Sequence, residues 1–190
     1  MTELKRVTKE TDIKVKVEVE GRGVYAVSTG IGFFDHMLES LSKHSGIDIE
    51  IECRGDIHVD YHHTVEDVGI VLGEALCKEI YPVKNVARFG DAVVVMDESA
   101  VECAIDLSNR PYLVYDLGLD GNIKDFDCEL FEEFFRAFAF NAKITLHLHK
   151  KRGRNRHHIA EASFKALALA LKRALKKDDK TGIPSTKGLI

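Results

Sequence analysis

HSGIDI at residues 44–49 and HHTVE at residues 62–66 are matched, in the same order, by NAKITL at residues 141–146 and HHIAE at residues 157–161. The first pair of segments is offset by 97 residues and the second by 95, so the difference falls in the loop before each His pair. Both halves show the same predicted order of strand, strand, helix, strand and helix. The sequence therefore predicts a duplicated unit, about residues 1–86 and 87–190, within one domain.

Alternating apolar and polar residues over Ile13–Val19 predict a strand, and we expect Val24–Ser28 to form a hairpin with it across Gly21–Gly23. The other predictions for this half are a helix at Phe33–Lys43, a strand at Ile47–Ile51 and a helix at Thr64–Ile80. The second half has predicted strands at Ala92–Met96, Val101–Leu107, Tyr112–Tyr115 and Ile144–His149, and predicted helices at Glu129–Ala142 and His158–Lys176. These elements indicate an α+β fold, with helices on one face of each mostly antiparallel sheet.

Composition excludes several classes of protein. The 190 residues are 45% hydrophobic, which is typical of a folded domain. Lys plus Arg is 27 and Asp plus Glu is 31, so the net charge of −4 argues against a general nucleic-acid binder. No stretch approaches the roughly 20 apolar residues of a membrane helix, and the N-terminus has no signal-peptide core. We therefore expect no membrane or nucleic-acid partner and a location in the cytoplasm.

The four cysteines are far apart in the sequence and form no CxxC pair, and this spacing argues against a zinc ribbon or redox motif. We expect free thiols at Cys53, Cys77, Cys103 and Cys128.

The two HHxxE motifs are the strongest candidates for chemistry. On a helix, His62 and Glu66 share one face, and His157 and Glu161 repeat this i, i+4 pair. Imidazole and carboxylate without thiolate suit Mn²⁺, Fe²⁺, Co²⁺ or Zn²⁺. A single HHxxE is more often a helix start with solvated polar residues, but two intact copies favour metal binding. Pseudo-twofold packing would allow two metals with ligands crossed between the repeats.

Other candidates are weaker taken alone. His36 begins an apolar helix, and its counterpart at the offset of 97 is Glu133. The basic run from Lys150 to Arg156 is expected first as a solvated hairpin loop and second as an anion-attracting rim. Arg88 and Arg110 stand next to turn residues and fit ordinary surface ion pairs. The C-terminal GIPSTKG at 182–188 either cradles a phosphate or forms a tail.

Several motifs together resemble a known family, the imidazoleglycerol-phosphate dehydratases. They lie in the same order nearly from end to end: Gly30–Leu38, His44–Gly46, His62–Asp67, Gly69–Gly73, Arg88–Gly90, Met96–Glu98, Asn109–Tyr112, His157–Ala166 and Pro184–Gly188. The resemblance implies a duplicated fold like that of ribosomal protein S5 domain 2. It also implies a large octahedral homo-oligomer with active sites between subunits and two Mn²⁺ per active site, although other divalent transition metals fit too.

The family dehydrates D-erythro-imidazoleglycerol phosphate to imidazole acetol phosphate in histidine biosynthesis. The proton removed is barely acidic, because it is not next to a carbonyl group. The resemblance implies a metal-bound imidazolate that expels the hydroxyl through a diazafulvene-like intermediate, after which a carboxylate removes the proton.

The resemblance also implies the site residues. One metal would take His36, His63, His157 and Glu161, and the other would take His62, Glu66, His158 and Glu133, where some relatives have His. Glu10 matches the acid/base glutamate, and Glu161 would assist it. By itself, Glu10 would be interpreted as a surface residue on a strand. The expected substrate- and phosphate-binding residues are Glu10, His44, Arg88, Arg110, Ser185, Thr186 and Lys187.

Two alternatives from other classes stay open on the residues alone. A two-metal hydrolase of phosphate esters or amides would use similar ligands. A non-enzymatic RNA-binding module would use Lys150–Arg156 to contact phosphates, although the acidic net charge argues against it.

Overall fold

The computed structural model describes residues 1–178 and 182–190. Its first half consists of β1 (Thr2–Val7), β2 (Thr11–Glu18), β3 (Tyr25–Ser28), α1 (Gly32–Ser45), β4 (Asp48–Gly55) and α2 (His62–Ile80). Its second half consists of β5 (Phe89–Met96), β6 (Ser99–Asp106), β7 (Tyr112–Asp116), β8 (Asn122–Ile123), β9 (Phe126–Asp127), α3 (Glu129–Asn141), β10 (Thr145–Arg152) and α4 (Arg156–Ala174). Every helix and strand predicted from the sequence is present, whereas β1 and the short β8–β9 hairpin were not predicted.

The two four-stranded sheets have the same topology. Their strand orders are β1-β2-β4-β3 and β5-β6-β10-β7. The registers also correspond, since Val17 on β2 pairs with Ile49 on β4 as Ile105 on β6 pairs with Leu146 on β10. This equivalence confirms the predicted α+β fold and its internal duplication.

The prediction of a hairpin between Ile13–Val19 and Val24–Ser28 is wrong. Strand β3 pairs with β4 in parallel, with Tyr25 opposite Ile49. Helix α1 lies between β3 and β4 in the chain, and a parallel pair requires such a crossover. The connection before β3 is fixed instead by Asp48, whose Oδ1 accepts hydrogen bonds from the N–H groups of Arg22 and Val24, both at 2.7 Å.

The basic run from Lys150 to Arg156 is not a hairpin loop, which corrects the first expectation. Lys150 to Arg152 end β10, and Arg156 begins α4. Several of these cations already have partners: Lys151 pairs with Glu102 at 2.9 Å, and Arg156 with Asp120 at 3.2 Å.

The core lies between the two sheets, where α1 packs on α4 and α2 packs on α3. One contiguous cluster of buried side chains spans both halves. Its largest members are aromatic: Phe34, Phe126, Phe131, Phe134, Phe135, Phe138 and Phe164. Helices α2 and α3 approach closely at Gly73, where a Cβ atom would lie 2.7 Å from the carbonyl oxygen of Phe138. Helices α1, α2 and α4, whose N-terminal parts carry the candidate histidines, are thus held by a single core.

All four cysteines are free, as predicted; Cys77 is half-buried and the other three are buried. None of the helices in the described part of the chain combines the length and the apolar composition needed to cross a bilayer.

Candidate active site

Both histidine pairs lie in the first turn of a helix. In α2, the backbone N–H of His62 donates to Asp60 Oδ1 at 2.8 Å. In α4, the Asn155 side chain accepts hydrogen bonds from the N–H groups of His157 at 3.0 Å and His158 at 3.4 Å. Short polar side chains commonly satisfy the free N–H groups of a helix start in this way. These hydrogen bonds hold the start of each helix, and with it the His pair.

Three predicted ligands meet where α1 packs on α4, and we call His36, His157 and Glu161 the α1–α4 half-site. His157 Nε2 lies 3.1 Å from Glu161 Oε2, and His36 Nε2 lies 3.7 Å from the same oxygen. The other Glu161 oxygen, Oε1, pairs with Lys165 Nζ at 2.6 Å. The Glu161 side chain is only 8% exposed, whereas the two imidazoles open to the surface.

The charges around this half-site have opposite effects on its carboxylate. Burial raises the pKa of Glu161, but the ammonium of Lys165 and the imidazole of His157 outweigh burial, so the pKa lies below its ordinary value. Burial and then the positive charge of Lys165 lower the pKa of His44, the predicted substrate-binding residue at the end of α1. Glu161 is therefore ionised and His44 neutral at neutral pH, which suits cation and substrate binding respectively.

The second half-site, on α2, contains His62 and Glu66. His62 Nε2 lies 3.7 Å from Glu66 Oε2, and both side chains are exposed. Glu133, the predicted fourth ligand, lies on α3, where both of its oxygens accept from Arg136 Nη1 at 3.1 Å. We call His62 and Glu66 the α2 half-site.

The second histidine of each pair is oriented by a carboxylate. His63 Nδ1 lies 3.0 Å from Asp56 Oδ2, and His158 Nδ1 lies 2.8 Å from Glu98 Oε2. The hydrogen bond to Asp56 raises the pKa of His63 above its ordinary value. Because an ionised carboxylate only accepts hydrogen bonds, the neutral ring must carry its proton on Nδ1, which leaves a lone pair on Nε2. Both rings thus present Nε2 as the atom that can bind a ligand, with Glu10 Oε1 3.8 Å from that of His63 and Asp97 Oδ2 3.7 Å from that of His158.

Aromatic rings separate the two half-sites within the chain. The ring of Phe126 lies 6.4 Å from Tyr61 and 5.6 Å from Phe33, whose ring in turn lies 5.3 Å from His157. Across residues 1–178 and 182–190, no group of three or more His, Cys, Asp or Glu side chains is arranged to hold a metal ion, so the α1–α4 half-site brings its three residues close without forming a complete ligand set. The crossed ligand sets are thus not assembled inside one chain, and they stay a prediction.

Glu10 lies in the turn between β1 and β2, not on a strand as expected. Its Oε1 is 3.8 Å from His63 Nε2, and its side chain is 53% exposed. The turn is held by Thr11, whose hydroxyl donates to the buried Asp67 at 2.6 Å, while Arg6 pairs with the same carboxylate at 2.6 Å. An ordered turn therefore presents an accessible carboxylate beside His63.

The predicted phosphate-binding residues do meet. They line a cleft of about 760 Å³ formed by Arg88, Phe89, Ser108, Asn109, Arg110, Pro184, Ser185, Thr186, Lys187, Leu189 and Ile190, which we call the phosphate cleft. Arg88 donates to both oxygens of Asp106, at 2.7 and 3.1 Å, and to the carbonyl oxygen of Pro184 at 2.7 Å. A bidentate pair fixes the plane of the guanidinium group. Arg88 therefore links the C-terminal segment to the second sheet.

The phosphate cleft and the histidines lie at opposite ends of α4. His158 is in the first turn of α4, and the carbonyl oxygen of Ala174, its last residue, accepts from the Arg88 N–H at 2.9 Å. A helix rises about 1.5 Å per residue, so His158 and Ala174 are separated by about 24 Å. A ligand held by Arg88 cannot reach the histidines of its own chain unless it is of that length.

Sequence reasoning missed four polar residues of these sites. Lys165, Asp56, Glu98 and Asp106 each hold a predicted site residue in place. Only Lys165 carried a local signal, since it lies one helical turn after Glu161. The other three make contacts that only tertiary structure creates.

Known proteins are similar to this chain over its whole length. The family model described as imidazoleglycerol-phosphate dehydratase matches residues 29–171. Proteins of that name from a Nitratiruptor species and from Aliarcobacter butzleri are 65% and 62% identical to it over 190 residues, with all of each chain covered. The crystal structure of imidazoleglycerol-phosphate dehydratase from Staphylococcus aureus superimposes on this chain with a TM-score of 0.82 at 37% identity, covering 93% of this chain and 99% of that one. The crystal structure of the enzyme of that family from Pyrococcus furiosus has a TM-score of 0.85 at 37% identity, covering 98% of this chain and 100% of that one.

Proposed function

The chain belongs to the imidazoleglycerol-phosphate dehydratase family, and we propose that its half-sites and its phosphate cleft are parts of one active site formed between neighbouring chains. The protein is a hydro-lyase that dehydrates imidazoleglycerol phosphate in histidine biosynthesis. The observation that carries the proposal is the separation of about 24 Å along α4. A substrate with a three-carbon chain cannot span that distance, so the phosphate cleft of one chain would serve the histidines of another.

The donor set fits the two Mn²⁺ ions that we propose for each active site. Imidazole and carboxylate groups without thiolate suit this metal. The carboxylates on Nδ1 of His63 and His158 give the arrangement typical of metal-binding histidines. The proposed ligand sets are His36, His63, His157 and Glu161 for one ion, and His62, Glu66, His158 and Glu133 for the other. When bound, the ions would supply positive charge that stabilises the deprotonated imidazole ring of the substrate.

The phosphate cleft orients the substrate. Arg88, Arg110, Ser185, Thr186 and Lys187 would hold the phosphate group, so that the reacting carbons lie at a fixed distance from the histidines. Arg88 is already held by Asp106 before substrate arrives, which lowers the entropy lost on binding.

Glu10 is the best placed residue to move the proton. Glu161 is occupied by Lys165 and His157 and is almost fully buried, so it suits a binding role. The Glu10 carboxylate is exposed, and its Oε1 lies 3.8 Å from His63 Nε2. We therefore assign to Glu10 the removal of the proton from the substrate carbon.

Mixing inactive variants tests the shared active site. His157→Ala lacks a metal ligand and Lys187→Ala lacks a phosphate contact, so each alone should be impaired. After removal of metal, mixing and reloading with Mn²⁺, about a quarter of the sites should combine the intact parts of both chains and regain activity.

A mixture of His157→Ala with His36→Ala is the matched control, because both variants damage the same half-site and should not restore each other. Activity in the first mixture no higher than in the control would refute the shared site. Elemental analysis of the saturated parent should give two Mn²⁺ per active site. The octahedral assembly and the cytoplasmic location stay predictions.

A further inference from the structure

Glu10 and Glu98 occupy corresponding positions in the two halves. Strand β2 pairs with β4 in the register in which β6 pairs with β10, up to a bulge in β10 between Lys150 and Arg152. Glu10 immediately precedes β2, and Glu98 immediately precedes β6. Each glutamate also lies beside the second histidine of the pair in its own half, His63 or His158. The duplication has thus placed the same residue type at the same point twice.

The contacts of Glu98 are those of a structural anchor. Its Oε2 bonds His158 Nδ1 at 2.8 Å, and its Oε1 accepts from the N–H groups of Arg154 at 3.1 Å and Asn155 at 2.8 Å. Asn155 is itself the residue that caps α4. One carboxylate therefore fixes both the start of the helix and the ring of its histidine.

The contacts of Glu10 are different, although its position is equivalent. Its carboxylate faces Nε2 of His63, at 3.8 Å, and not Nδ1. The Nδ1 atom is held by Asp56. The backbone carbonyl of Glu10 accepts a hydrogen bond from the Asp56 N–H at 3.0 Å, so the turn places Asp56 while the side chain of Glu10 stays accessible.

The second half has no carboxylate at the position that corresponds to Asp56. Asp56 lies two residues after Arg54, which pairs with Asp12 of β2, whereas the bulge between Lys150 and Arg152 makes Arg152 pair with Ala100 of β6. The residue that corresponds to Asp56 is therefore Arg154. Gly153, which precedes Arg154 and corresponds to Gly55, has a φ of +123°, and a Cβ atom there would overlap Ser99 Oγ. Arg154 has no carboxylate, and Nδ1 of His158 is held instead by Glu98 of the β5–β6 turn, while Asp97 Oδ2 lies 3.7 Å from Nε2 of the same ring.

We infer that Glu98 is a positioning residue for His158 and that Asp56 is the positioning residue for His63. Because Asp56 holds His63 in the first half, the carboxylate of Glu10 remains available for proton transfer. The inference rests on the proposed function, in which the two histidines bind metal through Nε2. A proton donated from Nδ1 to a carboxylate keeps the Nε2 lone pair available and fixes the ring plane.

Glu98→Gln tests the role of Glu98 with little change of shape. The amide oxygen still accepts from the two backbone N–H groups, but the NH₂ group then faces Nδ1 and cannot accept a proton. The His158 proton should move to Nε2. We expect Mn²⁺ affinity, measured from the EPR signal of free Mn²⁺, to fall about 10- to 100-fold for one of the two classes of ion. Asp56→Asn should weaken the other class to the same degree.

Glu10→Gln is the comparison that separates the two roles. It should keep Mn²⁺ affinity within about twofold while kcat falls at least about a hundredfold. Glu102→Gln, the same change on the exposed side of β6, is the matched control and should behave as the parent. Parental Mn²⁺ affinity in Glu98→Gln would overturn the inference.

A measurement on the metal-free parent keeps the inference independent of the variants. The ¹⁵N shifts of His158, assigned by their loss in His158→Asn, should show the neutral ring protonated on Nδ1, and protonation on Nε2 would overturn the positioning role. If the parent binds no Mn²⁺, the metal part of the proposed function fails, while these shifts still decide how Glu98 acts on His158.

Discussion

Asp106→Asn should both destabilise the fold and weaken substrate binding, because Asp106 is the counter-charge of Arg88. The two side chains are only 18% and 14% exposed. Removing one partner of a buried pair costs roughly 3–5 kcal/mol, whereas exposed pairs contribute about 0–1 kcal/mol. Asparagine keeps one of the two acceptors of Arg88 and the pair has some solvent access, so we expect a loss of about 2 kcal/mol in the free energy of unfolding.

Urea unfolding of the metal-free protein measures this loss directly, and the midpoint of thermal unfolding should fall by about 4–8 °C for a chain of this size. Glu102→Gln is the control, because Glu102 and its partner Lys151 form an exposed pair at 2.9 Å whose loss should leave the stability close to that of the parent. In steady-state kinetics, Asp106→Asn should raise KM more than it lowers kcat, since the phosphate contact is made in the ground and transition states alike. Equal stability of the two variants would refute the estimate.

Three further predictions concern pH, assembly and catalysis. The hydrogen bond to Asp56 raises the pKa of His63, so this pair should stabilise the metal-free fold below about pH 6.5 and lose that effect as the pH rises through the raised pKa. The difference in unfolding free energy between the parent and Asp56→Asn should therefore be larger at about pH 5.5 than at about pH 8. A difference that does not depend on pH would contradict this. Mn²⁺ should promote association, because ligands from different chains would share an ion, and sedimentation of metal-free against loaded protein tests this; fully active monomers would exclude it. Glu10→Gln should bind the substrate nearly normally and turn it over at least about a hundredfold more slowly, whereas Lys187→Ala should mainly raise KM; parental kcat in Glu10→Gln would move the proton transfer to another group.

Most of the secondary structure was predictable because it depends on local periodicity. The alternation in Ile13–Val19 and the helical spacing in Thr64–Ile80 state which face is buried, and the structure buries those faces. The partner of β3 was not predictable in this way. Its four residues have no local feature that distinguishes an antiparallel from a parallel neighbour, and the α1 crossover decides between them.

In the candidate site, too, local spacing predicts some contacts and tertiary structure decides the others. Spacing alone pairs His62 with Glu66 and His157 with Glu161, because one helical turn separates them. No spacing predicts that Asp56 holds His63 while Glu98 holds His158, since these contacts cross between elements.

The sequence by itself determined that the chain is duplicated, which segments form helices and strands, and which residue types are candidates for metal and phosphate. These properties follow from patterns within a few residues, where backbone geometry sets the period. The tertiary structure decided how they are distributed in space. It places the phosphate cleft about 24 Å from the histidines along α4, and it gives equivalent glutamates different partners. Such distances depend on how distant segments pack, and a residue's neighbours in the folded chain are not contained in its local pattern.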